Sequence, residues 1–457
     1  MEFLGLVSNN KIKKRQIIKA GSWVLGGHLI SQLIRLGGNL ILTRLLVPEM
    51  FGVMAIVNVL IMGVEMLSDF GIGQGIIQNK RGDDPDFVNT AWTLQIIRGF
   101  ILWMINCLVA IMLWGLSYLN YLDQQNIYAN PLLPYLIIVS GFGVVISGFK
   151  STAIYQANRN LMMGRLTVIN VMSQVVSLIT IVILAWNYRT IWALVIGGLM
   201  FQLIEMWFSH VFLVGVKNKL CWDKIALAEL KCFGKWIFLS SALGFIGNQG
   251  DRLILGGLLS AQELGVYSIA FMLSNFPSTI VSNLSHKVLF PNFSRINREF
   301  PGQLKFSLIK SKLWLGVSVI PITGILMSGS EFIVDLLYDD RYSDAGWMIK
   351  LLFLRVVTGC MLIPNALVMV AKGLPQYSTF SATLKALFIF IALPLSHKLY
   401  DTQFMIFMIG ISGLINLPIL WYALIKHKLF SLKVEVFSVI CLAIGYIAGD
   451  LIFSSLK

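Results

Sequence analysis

Eleven side chains in this sequence place ionisable or amide chemistry inside long apolar runs: Arg35, Arg98, Arg252, Arg355, Lys385, Asn39, Asn248, Glu65, Asp69, Glu205 and Asp251. A charge at bilayer depth costs on the order of several kcal/mol unless it faces a cavity or a partner, so each is a functional candidate. The cations outnumber the acids, and a chamber lined by them selects an anionic substrate. Spacing groups them. His28, Gln32, Arg35, Asn39 and Thr43 recur at intervals of four, three, four and four, which is one face of a helix. Asn58, Glu65 and Asp69 share another face, Ser241, Asn248, Asp251 and Arg252 cluster on a third segment, and Ser268, Asn275, Thr279, Ser282 and His286 form a further stripe. A polar stripe on an apolar helix lines water or another helix. Glu65 and Asp69, with Asp251 and Glu205, are candidates to carry a coupling proton or sodium ion; the same acids also suit a neutralising role beside an arginine. Lys150, Lys350 and Arg44 stand near helix ends, where long basic side chains snorkel to headgroups.

The elements that must position these groups are membrane helices. Hydrophobic residues make up 57% of the chain and charged residues 13%, against roughly 25% charged in soluble domains. Runs of about 20 apolar residues recur, each long enough to cross the hydrocarbon core. Such runs must be helical, because only a helix satisfies its own backbone there. The sequence predicts an all-α polytopic membrane protein with helices near 18–45, 50–72, 89–116, 132–157, 164–186 and 190–214. A second set is expected near 234–259, 264–290, 310–330, 346–371, 377–396 and 403–425, with one further apolar segment at 434–453.

An internal repeat organises the two sets. Residues 39–57 and 252–270 align without a gap at an offset of 213, with eight of nineteen positions identical, among them Leu46/Leu259, Gly52/Gly265, Val53/Val266 and Ile56/Ile269. At that offset Arg35 falls on Asn248 and Asn39 on Arg252, the same pair in reversed order. The expected organisation is an N-lobe at 1–216, a C-lobe at 217–433 and an extra hydrophobic segment at 434–457. These make two six-helix lobes related by a pseudo-twofold axis along the membrane normal, with 12 spans and a thirteenth segment whose crossing stays open. With the N-terminus in the cytoplasm, inside segments carry 24 Lys and Arg and outside loops three, as the positive-inside rule requires. That asymmetry accounts for the net charge of +14 and leaves no nucleic-acid surface to explain.

Catalytic motifs are missing. The nearest approach to a phosphate loop, Gly143–Lys150, has Phe149 where the motif needs Lys and lies inside an apolar helix. The five cysteines show no metal-ligand spacing. The basic N-terminal stretch leads into an apolar run too long for a signal peptide. No enzyme activity, cofactor or metal is expected, and with no ATPase motif the energy must come from an ion gradient, the membrane potential or consumption of the product.

Thr43–Val57 (TRLLVPEMFGVMAIV) and Ser68–Gln78 (SDFGIGQGIIQ) resemble the first hairpin of bacterial polysaccharide repeat-unit flippases of the multidrug/oligosaccharidyl-lipid/polysaccharide exporter superfamily. Gly250–Ile296 is similar to the opening of that family's second half, including the break at Phe290-Pro291. The resemblance implies alternating access in the bacterial inner membrane, acting on an undecaprenyl-diphosphate-linked oligosaccharide for O-antigen, capsule or exopolysaccharide (lipopolysaccharide-type) assembly. It implies a cationic chamber for the diphosphate at Arg35 and Arg252, joined by Arg98, Arg355 and Lys385. The implied partners are membrane lipids and the polymerase and chain-length regulator of the same pathway. Helix breaks for lobe rocking are expected at Gly71/Gly73/Gly75, Pro291, Pro321 and Pro364. Two other readings stand beside this one: an ion-coupled multidrug or organic-cation antiporter, which would want an acidic chamber, and a non-transporting subunit of a polysaccharide synthase complex.

Overall fold

The computed structural model describes residues 2–66, 71–79, 81–123, 126–160 and 162–455, with side chains throughout except at 2–21, 25, 78, 231–244, 248 and 287. Every regular element among these residues is helical. The chain falls into two compact units, Met1–Phe245 and Ile246–Lys457.

The first unit contains α1 (Glu2–Leu45), α2 (Pro48–Met66), α3 (Ile72–Gln78), α4 (Pro85–Tyr118), α5 (Leu133–Gly148), α6 (Ala153–Arg159), α7 (Met163–Tyr188), α8 (Trp192–Val211) and most of α9 (Lys224–Gly256). The second contains the end of α9, then α10 (Ala261–Leu284), α11 (Phe290–Glu299), α12 (Leu304–Ser318), α13 (Ile320–Ser328), α14 (Ser330–Leu337) and α15 (Ala345–Leu352). It continues with α16 (Leu354–Ala371), α17 (Gln376–Leu399), α18 (Thr402–Ile411), α19 (Leu417–Lys426) and α20 (Leu432–Ser454). Among the described residues ten helical segments are long and apolar enough to cross a membrane, or eleven with α5 and α6 taken as one broken span. This is a multi-pass membrane protein.

The two copies of the sequence repeat begin helices at matching positions. α2 starts at Pro48 and α10 at Ala261, 213 positions apart. Of the eight identical pairs, five are buried on both sides: Leu42/Leu255, Leu46/Leu259, Gly52/Gly265, Val53/Val266 and Ile56/Ile269. These five identities are packing positions, as expected where close fit rather than water drives helix association.

Several helices break where the chain supplies a reason. The helix expected at 50–72 stops at Met66, and Gly71 then takes a left-handed conformation (φ 61°) to open α3, which glycine does without Cβ strain. The helix expected at 132–157 bends by 62° between α5 and α6. Its freed carbonyls at Ser147, Gly148 and Lys150 all accept from Gln95 Nε2 on α4, at 3.1, 3.0 and 3.2 Å. One buried amide thus replaces three lost helical donors where water is scarce. A π-turn at Ser285–Leu289 precedes Pro291, and Pro321 opens α13 after α12 ends. α16 runs unbroken through Pro364. The helix expected at 310–330 starts at Leu304 instead, which carries its basic residues deeper than their sequence position suggested.

The segment at 434–453 is the continuous helix α20. It packs along α13 and α12 at glycines that let backbones meet: a Cβ on Gly324 would stand 2.7 Å from both Leu442 O and Tyr446 N. α20 is fastened to the second unit rather than trailing from it.

Candidate functional site

Two cavities, one in each unit, are lined by four of the intramembrane candidates, Arg355 and Lys385 in one and Glu65 and Arg98 in the other. In the second unit α9 supplies Asp251 and Arg252, α10 supplies Tyr267 and Phe271, α16 supplies Arg355 and α17 supplies Lys385. Asp251 is 3% exposed. Its Oδ2 takes a salt bridge from Arg355 Nη1 at 3.1 Å and a hydrogen bond from the Tyr267 hydroxyl at 3.2 Å, while Oδ1 accepts from the Arg252 backbone N–H at 3.0 Å. Both guanidinium groups lie over the Phe271 ring, Arg252 at 4.2 Å and Arg355 at 4.9 Å from its centroid. Such cation–π contacts hold a cation in place without cancelling its charge. Arg252 Nη1 donates to Gln249 Oε1 at 3.2 Å, and its Nε is buried with no hydrogen-bond partner. Arg355 and Lys385 line a cavity of about 410 Å³ whose other wall is the α10 stripe, including Asn275, Thr279 and Ser282. Among the described residues three basic groups stand here with one carboxylate, Asp251, which pairs with Arg355, a formal excess of two positive charges. Fixed arginines of this kind suit phosphate oxygens.

The first unit holds a cavity of about 330 Å³ lined by Glu65, Gln95, Arg98, Ser147, Lys150 and Tyr155, among others. Arg98 Nη2 donates to the Glu65 carbonyl at 2.8 Å. Lys150 Nζ pairs with Glu205 Oε2 at 2.6 Å, so Lys150 faces this cavity and an acid rather than snorkelling. Among the described residues Arg98 and Lys150 stand with as many acids, Glu65 and Glu205, so the formal charge here is balanced.

The expected site is therefore divided. Arg252, Arg355, Lys385 and Asp251 come together in the second unit, and Arg98, Glu65 and Glu205 in the first. Arg35 is exposed on α1, Asn39 keeps its amide nitrogen buried without a hydrogen bond, and neither lines these two cavities. Asp69 and the side chain of Asn248 lie outside the described residues.

Two polar arrangements went unread in the sequence. Lys312 on α12 and Glu435 on α20, each 4% exposed, form a buried ion pair, and Lys312 also donates to Asn365 Oδ1 on α16 at 3.3 Å. The signal lay in the helix start: with α12 beginning at Leu304, Lys312 belongs to its third turn. The basic linker after α8 is likewise no loose tether. The backbone N–H groups of Lys219, Cys221 and Asp223 donate to Asn89 Oδ1, Thr93 Oγ1 and Thr90 Oγ1 on α4, each at 3.0 Å. This alternation belongs to extended chain laid on a polar helix face. Arg81 ties the end of this strap down through Asp223 and Asp84, at 3.1 and 2.8 Å. The Ile225 N–H and then Arg81 hold the Asp223 carboxyl below the usual carboxylate range, and the bonds to Asp84 and Asp223 raise Arg81.

This fold is shared with solved membrane transporters. The chain superposes over 96% of its length on 98% of the lipid II flippase MurJ in an inward-closed conformation, with a TM-score of 0.66 at 14% identity. It covers 93% of itself and 95% of an inward-facing multidrug resistance MATE family transporter of the MOP superfamily, with a TM-score of 0.59 at 13% identity. Residues 41–346 match the model of the family described as polysaccharide biosynthesis protein, and the chain belongs to that family. Its relatives include the teichuronic acid biosynthesis protein TuaB of Bacillus subtilis (strain 168), 19% identical over 68% of this chain and 62% of TuaB. The lipopolysaccharide biosynthesis protein WzxC of Escherichia coli (strain K12) is 23% identical over 74% of this chain and 68% of WzxC.

Proposed function

We propose that this protein is a flippase for polyprenyl-diphosphate-linked oligosaccharides, moving them by alternating access from the cytoplasmic to the outer leaflet for assembly of a surface polysaccharide. The observation that carries this reading is the cluster in the second unit, where Arg252, Arg355 and Lys385 gather with the carboxylate of Asp251, which pairs with Arg355, beside a polar cavity. A diphosphate supplies the charge this cluster lacks, and its lipid tail stays in the hydrocarbon. Membership of a polysaccharide biosynthesis family and the fold of a lipid II flippase support the same reading. Twelve spans in two six-helix lobes, with the N-terminus in the cytoplasm, complete the proposal from loop charge and the internal repeat. Glu65, on the wall of the cavity in the first unit, is the acid we assign to ion coupling. An organic-cation antiporter is disfavoured by the two cations that line the larger cavity.

The test is polymer export in cells lacking the chromosomal copy. Arg252→Ala combined with Arg355→Ala should abolish export while leaving the protein in the membrane at normal levels. Normal output from that variant would overturn the cationic-cluster reading.

A further inference from the structure

The cavity of about 410 Å³ contains more polar chemistry than a diphosphate needs, and its hydrogen-bond ledger shows which groups are engaged. Thr279 Oγ1 donates to the Asn275 carbonyl at 2.9 Å, Thr358 Oγ1 to the Arg355 carbonyl at 3.1 Å, and Ser412 Oγ to the Ile409 carbonyl at 2.7 Å. These hydroxyls are satisfied by their own helices. The side-chain amides of Asn275, Asn283 and Asn416 also line the cavity and make no hydrogen bond among the described residues. The Asn416 Oδ1 is buried without a partner. At membrane depth an unpaired amide is costly, so three converging on one space face water or a ligand.

We propose that these three asparagines form the subsite for the sugar joined directly to the diphosphate, and that they set which sugar enters. The inference rests on the flippase reading above and adds the identity of the group that is recognised. An amide offers a donor and an acceptor side by side, the pattern that adjacent sugar hydroxyls answer; a bare phosphate has no use for the acceptor. Arg355 and Lys385 open onto the same cavity, so the charged linkage and its first sugar fit as neighbours. The apolar part of the wall is aliphatic (Val281, Val356, Leu362 and Ile363), so recognition proceeds by hydrogen bonding rather than by stacking on an aromatic ring. The volume falls in the range of small-molecule sites. Gly359 keeps one wall open: a Cβ there would meet only Ile363 Cδ1, at 3.7 Å. The ligand class is a hydroxyl-rich sugar, and a deoxy sugar at this position leaves an asparagine unpaired.

The experiment uses the full chain in lipid nanodiscs and measures binding of farnesyl diphosphate and of farnesyl diphosphates carrying a hexose, a 6-deoxyhexose or an N-acetylhexosamine. At least one sugar conjugate should bind more tightly than bare farnesyl diphosphate. Asn275→Ala and Asn416→Ala should each remove about fivefold to tenfold of that gain and leave farnesyl diphosphate binding unchanged, which also shows that the variants are folded. Gly359→Leu, which fills the cavity from a second direction, should erase the gain while sparing the bare diphosphate. The subsite is overturned if no conjugate gains over farnesyl diphosphate, or if the variants weaken all probes equally or none. Failure of farnesyl diphosphate itself to bind in an arginine-dependent way would instead bring down the flippase reading, and the subsite with it.

Discussion

Replacing Lys312 or Glu435 alone should destabilise the protein severely, and replacing both should not. The two side chains are 4% exposed, Asn365 beside them is fully buried, and Glu435 Oε2 has no hydrogen-bond partner. Lys312→Met would leave a buried carboxylate without its cation, and Glu435→Met would leave a buried ammonium held by Asn365 Oδ1. Breaking a pair of this kind costs about 3–5 kcal/mol, whereas exchanging both members for well-packed apolar groups is often neutral or stabilising. At about 1.4 kcal/mol per factor of ten, each single variant shifts the folded population by roughly a hundredfold to several thousandfold. The assay is thermal unfolding in detergent across the full double-mutant cycle, followed by the recovered yield of folded protein. The expected order is two strongly lowered midpoints and a Lys312→Met/Glu435→Met variant near the parent. A double variant as unstable as the singles would refute the reasoning, since the loss would then come from packing or from Asn365 and not from an uncompensated charge. Singles that unfold like the parent would show that water reaches the pair.

Three further perturbations follow from the geometry. Gly324→Leu would drive its side chain into the α20 backbone near Leu442 and Tyr446; α20 should then become accessible to protease at its loop, and unchanged protection would mean the two helices do not cross there. Thr90→Val with Thr93→Val removes two of the three oxygens that hold the strap, so the amides of Cys221 and Asp223 should exchange hydrogen faster in the parent's native conditions. The strap also has a pH signature. A carboxyl held below its ordinary range adds stability above its unfolded value, near 4, and loses it as the pH falls through the folded value; the protection of the Asp223 amide, its exchange relative to the intrinsic rate at each pH, should be high at neutral pH and fall below about pH 4, and unchanged protection would remove its ion pair from the account. Glu65→Gln should blunt the ion dependence of transport in proteoliposomes, and an unaltered dependence would return Glu65 to neutralising Arg98.

Within the second unit, the contrast between Arg252 and Arg355 shows how legibility fades. Arg252 stood out because the repeat places it opposite Asn39, and its polar stripe is readable from helical spacing. Arg355 carried no such mark, yet it forms the salt bridge to Asp251. Lys150 looked like a helix-end side chain bound for headgroups, and its pairing with Glu205 depends on α5 bending at Gly148, a bend held by Gln95 from a third helix. Lys312 stood only at the edge of the helix expected at 310–330; with α12 beginning six residues earlier, at Leu304, it lies well inside.

Sequence by itself determined that this chain is helical and membrane-spanning, and roughly where its long helices run. Those properties follow from run length, spacing and local composition, each of which is one-dimensional: about 20 apolar residues cross a bilayer whatever their neighbours are. The family was legible for the same reason, through contiguous packing residues that the repeat preserves. Only the tertiary structure decided which cation meets which acid, which amides are left without a partner, and that the linker is stitched to α4. Those outcomes depend on the crossing points of helices far apart in sequence, where a shift of one turn exchanges one neighbour for another and changes a neutral cavity into a charged one.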